Sequence, residues 1–123
     1  MVRFRLAALV LLATSVIPAL AADTDDQLRQ KIVGYWGDSD QCQGSVLVFR
    51  SDGTVDEIEV DRTRTPSVST IRTGTYQIAA GKLSGKMGGT VMPLVDLRFD
   101  GDTMVLVDGT DESPVTRCPA GPK

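Results

Sequence analysis

The chain contains no histidine, only 5% aromatic residues and just two cysteines. The missing imidazole removes His-based general acid–base catalysis, the usual serine and cysteine triads and most catalytic zinc sites. Beyond residue 21 the aromatics are Tyr35, Trp36, Phe49, Tyr76 and Phe99, so Val, Ile, Leu and Met must fill most of any core. Positive charge is also short. The formal charge is −3, which disfavours phosphate backbones and anionic lipid as partners.

There is no apolar run long enough for a bilayer span, which needs roughly 20 residues. The longest, residues 6–17, follows Arg3 and Arg5 and stops at Pro18, and Ala19-Leu20-Ala21 supplies a small-x-small cleavage pattern. Residues 1–21 therefore read as a signal peptide and residues 22–123 as a single domain with no membrane insertion after processing. No cysteine near the cleavage site offers a lipid anchor. Loss of Arg3 and Arg5 takes the formal charge from −3 to −5. The implied destination is the periplasm, an oxidising compartment in which Cys42 and Cys118 are expected to pair as a structural disulfide.

Residues 24–34 carry a helix signal. Thr24 and Gln27 have capping-box spacing, Asp25 and Asp26 open the first turn, Leu28 and Ile32 share a face, and Gly34 is placed for a left-handed stop. From Ser45 the apolar period becomes two. Runs at 45–49, 54–61, 69–78, 83–87, 95–99, around Met104 and Leu106, and at 115–118 read as strands. Val55 is out of phase with Ile58 and Val60, which suggests a bulge. Asp52-Gly53, Asp100-Gly101 and Asp108-Gly109 are hairpin turns, since glycine accepts the positive φ such turns require. The predicted fold is all-β: a small antiparallel up-and-down barrel with a short N-terminal helix. A Cys42–Cys118 bridge requires first and last strands to be neighbours, as they are in a closed barrel.

Gly34-Tyr35-Trp36 before the first strand and Arg117 in the last resemble the lipocalin or calycin superfamily. That resemblance implies that Trp36 plugs the barrel floor and that Arg117 covers the indole; Tyr76 stands with them as a candidate ligand-binding residue at the barrel base or interior. Because the chain is much shorter than a usual lipocalin, any cavity is small or absent. The alternative for Trp36 is simple packing against the helix. The spread of Trp36, the cysteines and the terminal Arg-Cys-Pro also resembles small bacterial periplasmic domains. Ser84-Gly85-Lys86 resembles the loop by which periplasmic lysozyme inhibitors enter their target's cleft, and a one-disulfide barrel resembles small bacterial protease inhibitors.

The remaining motifs have plain explanations. Asp38-Ser39-Asp40 starts like a calcium loop, but Gly44 falls one place late and Phe49 occupies the position of the bidentate glutamate. No metal or other cofactor is expected. Glu57 and Glu59 alternate with Ile58 and Val60 as a solvent face would, and Ser84 with Lys86 lacks the buried setting of a Lys-activated serine. Arg62 and Arg64, with Arg72 beyond, suit either a solvated loop or an acidic partner. The expectation is a non-catalytic periplasmic module that binds a small apolar or amphipathic molecule. The alternative is an inhibitor or envelope interaction protein that meets a periplasmic protein through Arg62, Arg64, Ser84 and Lys86.

Overall fold

The computed structural model describes residues 22–119, and the expected signal segment lies outside the described residues. Helix α1 (Asp25–Ile32) is followed by β1 (Gly34–Gly37), β2 (Gly44–Phe49), β3 (Thr54–Val60), β4 (Val68–Ala79), β5 (Lys82–Met87), β6 (Thr90–Asp100), β7 (Thr103–Asp108) and β8 (Asp111–Arg117). Each strand pairs antiparallel with the next, and β8 closes on β1 through Trp36 opposite Arg117 and Gly37 opposite Thr116. The all-β up-and-down barrel with one short helix is the architecture expected. Its three Asp-Gly turns place Gly53, Gly101 and Gly109 at φ +86°, +58° and +63°, the region that only glycine enters freely.

Closure brings the cysteines together. Cys42 and Cys118 form a disulfide with their Cα atoms 5.7 Å apart, across a sequence separation of 76. On the chain-entropy account, closing such a loop stabilises by about 4.5 kcal/mol.

Two departures from the sequence reading matter for the site. The first strand is β1, four residues with a glycine at each end, rather than the run from Ser45. The second concerns the faces of β3. Leu47, Phe49 and Val55 pack inside the barrel with Trp36, Leu97 and Met104, so alternation sends Val46, Val48, Ile58 and Val60 to the outside. There they form a second apolar cluster with Cys42, Cys118 and Val68. The β3–β4 pairing does shift, between Glu57 and Ile58. Yet Val55 is out of phase with Ile58 because the two serve different clusters. Glu57 consequently shares the inward face with Val55, and the expectation that it belongs to a solvent face is corrected. Glu59 is exposed.

Helix α1 stops one end of the barrel. Thr24 and Gln27 complete the capping box, and Leu28 and Ile32, 3% and 0% exposed, enter the interior cluster. The Asp25 carboxylate accepts from the backbone N–H groups of Ala80 and Gly81 in the β4–β5 turn, at 2.9 and 2.8 Å. These hydrogen bonds, Gly81 first, hold its pKa below the ordinary carboxylate value, with the Arg29 charge adding a little. An eight-residue helix has too few turns to persist alone, so these contacts supply its stability.

The helix does not end in a left-handed glycine. Val33 is extended, and Gly34 at φ +140° already begins β1. A Cβ on Gly34 would lie 2.8 Å from the Arg117 Nη1. Glycine is required there by that φ, which L side chains rarely adopt, and the guanidinium takes the place of a backbone cap.

Candidate functional site

The Trp36–Arg117 pair sits where α1 meets the barrel. Trp36 is 1% exposed and donates from Nε1 to the Ile32 carbonyl at 2.7 Å. Arg117 donates to the carbonyls of Lys31 and Val33, at 2.6 and 3.0 Å. Three successive carbonyls at the helix end, which have no partner within the helix, are thus met by two side chains from adjacent strands. The guanidinium carbon lies 4.3 Å from the indole centroid, a cation–π contact worth about 0.5–2 kcal/mol. Phe99 meets the same indole, tilted, at 5.6 Å between ring centroids. Trp36 therefore both packs against the helix and closes the floor of the barrel.

Above this floor the barrel is not filled. A cavity of about 310 Å³ opens at the end opposite α1, with Trp36, Leu47, Met87, Met92 and Val115 as its apolar lining. Its polar lining is Asp38, Ser45, Glu57 and Arg72. Leu47, Met87 and Met92 also line a second cavity, of about 150 Å³, among Phe49, Val55, Leu83, Pro93, Val95 and Leu106. The lining grades from charged at the mouth to wholly hydrocarbon inside, apart from Ser84 at the wall.

Glu57 and Arg72 face each other across the β3–β4 pairing and form a hydrogen-bonded ion pair at the mouth. Their side chains are 18% and 48% exposed. With that much solvent contact the pair contributes no more than about 1 kcal/mol. Its consequence is positional, since it fixes two opposite charges at the threshold of an apolar space.

The other residues singled out from sequence are dispersed. Tyr76 packs edge-on against Phe49 at 5.0 Å and donates to the Arg50 carbonyl at 2.6 Å. It lines a surface groove beside α1 rather than either barrel cavity. Burial, with a smaller contribution from the Asp52 charge, raises its pKa above the ordinary phenol value. Arg62 is engaged with the Gln41 carbonyl and the Gln43 side chain, at 2.7 and 3.3 Å, and Arg64 pairs with Asp61 at 3.3 Å. Hence Arg62, Arg64 and Arg72 do not form one basic site. Ser84 and Lys86 belong to strand β5 rather than to a loop, and they border a shallow outer depression beside Thr75 and Val91.

Asp38, Leu47, Met87 and Met92 were not legible as site residues. Leu47 was visible only as part of a strand, and the lining emerges from register, which local patterning does not encode. Among the described residues no group of three or more Asp, Glu or Cys side chains could hold a metal ion, and no helix is long and apolar enough to cross a membrane. Comparison with protein-family models, with characterised proteins and with solved structures returns no match for this chain. The closed eight-stranded barrel is compatible with a lipocalin-like plan, and the fold alone carries that statement.

Proposed function

We propose that this protein is a non-catalytic periplasmic module that holds a small apolar or amphipathic molecule inside its barrel. The observation that carries this reading is a pair of neighbouring apolar cavities that share Leu47, Met87 and Met92, the outer one bordered by Glu57 and Arg72. Native interiors are packed as densely as organic crystals, and an apolar space of about 150 Å³ departs from that packing. A dry cavity of that volume accepts a benzene-sized molecule. Export is supported by the apolar N-terminal run in the sequence, and the disulfide suits an oxidising compartment.

Transfer of about six methylenes from water into the chamber is worth about 5 kcal/mol, a submillimolar dissociation constant before any headgroup contact. Titration of the protein with linear alcohols from butanol to decanol, followed by calorimetry and thermal shift, tests the reading. Affinity should rise about fourfold per methylene and less steeply once the chain reaches the half-polar mouth. Absence of saturable binding, or affinity independent of chain length, would refute it. The rival interaction reading has no comparable support, because its residues lie on two separate elements and Arg62 is already engaged.

A further inference from the structure

We propose that the preferred occupant is a small cationic amphiphile, an amine whose hydrocarbon tail fills the inner chamber and whose ammonium sits at the mouth against Asp38 and Glu57. This rests on the ligand-binding reading above and specifies the chemistry of the headgroup.

The charges at the mouth are unequal. Two carboxylates, Asp38 and Glu57, stand against one guanidinium, Arg72. Arg72 is already neutralised by Glu57. Asp38 has no hydrogen-bond or ion-pair partner among the described residues, so one negative charge in the cavity lining is left for an incoming group. An anionic headgroup would be repelled by Asp38 and would have to displace Glu57 from Arg72 before it gained a partner. A cationic headgroup meets Asp38 directly and can share Glu57 without breaking the existing pair. A neutral hydroxyl can donate a hydrogen bond to either carboxylate but gains no attraction between opposite charges.

Topology reinforces this preference. Residues 38–43 between β1 and β2 and the turn between β7 and β8 lie at the open end, and they carry Asp40, Asp108 and Asp111. The cations at that end are Arg62 and Arg64 in the β3–β4 connection, with Arg64 paired to Asp61, and Lys86 just before the β5–β6 turn, fewer than the carboxylates there. The local potential around the mouth is therefore negative, which raises the local concentration of small cations and speeds their capture.

The test uses n-octylamine, n-octanol and n-octanoate at pH 7, where the amine is protonated. Binding is read from the fluorescence of Trp36, the single tryptophan of the chain and part of the cavity lining. The amine should bind about fivefold more tightly than the alcohol, the size expected for partly exposed charge pairs. The carboxylate should bind more weakly than the alcohol, and added salt should narrow the spread. Asp38→Asn, a change at an exposed position, should bring the amine-to-alcohol ratio down to about two. Octanol binding with no preference for the amine, or a preference for octanoate, overturns the cationic assignment and leaves the binding reading intact. Failure of all three compounds to bind overturns both. An unchanged ratio in the Asp38→Asn protein overturns the assignment of the ammonium to that carboxylate.

Discussion

Replacing Arg117 by alanine should uncouple the helix from the barrel. The side chain makes two hydrogen bonds to helix-end carbonyls, one cation–π contact and a 3.9 Å ion pair with the exposed Asp102 that adds little. At 32% exposure each hydrogen bond is worth about 1 kcal/mol, and the stacking about the same, giving a loss of about 3 kcal/mol. In a domain of this size that lowers the melting temperature by roughly 12–20 °C. Arg117→Lys retains the charge but not the planar fork, so it should recover no more than about 1 kcal/mol of the loss. Urea unfolding followed by far-ultraviolet circular dichroism measures both variants. A double-mutant cycle with Trp36→Phe should return a coupling of about 1 kcal/mol. A loss below 1 kcal/mol for Arg117→Ala, or no coupling in the cycle, would show that the two side chains do not hold the helix end as described.

Two further outcomes follow from the fold. Reduction of the Cys42–Cys118 bridge, or its replacement by serines, should cost up to about 4.5 kcal/mol, read as a lower urea midpoint; an unchanged midpoint would contradict the loop-closure account. Asp25 has a folded pKa below its unfolded value, so its contribution is fully present at neutral pH and is lost as the pH falls below about 4. Asp25→Asn should flatten the acid limb of a stability–pH curve, and an acid limb as steep as that of the unmodified protein would refute the assignment.

Much of the scaffold was legible because its signals are local. The Thr24–Gln27 capping box and the Asp-Gly turns each need only neighbouring residues, and all of them form. Strand β1 escaped notice because Gly34-Tyr35-Trp36-Gly37 has two glycines and no alternation; it exists through pairing with β2 on one side and β8 on the other. Strand β6 is longer than expected and admits Pro93, which has no N–H to donate, at the register shift between β5 and β6. Glu57 was misplaced for a deeper reason. A period of two separates the faces of a strand but cannot say which is interior when both are covered. Trp36 and Arg117 could be read as a pair from their resemblance, whereas the meeting of Glu57 with Arg72 depends on register.

The second apolar cluster makes the wall of this barrel unequal around its circumference. Strands β2 and β3 are covered on the inside by the barrel core and on the outside by the disulfide and its neighbours. Their amides are therefore the last to meet solvent in any partial opening. On the far side, β5 and β6 lose register and leave Val91 and Leu94 exposed. Backbone pairing is shortest where β8 closes on β1, with two residue pairs against five between β5 and β6, so the Cys42–Cys118 bridge ties the cylinder beside its thinnest seam.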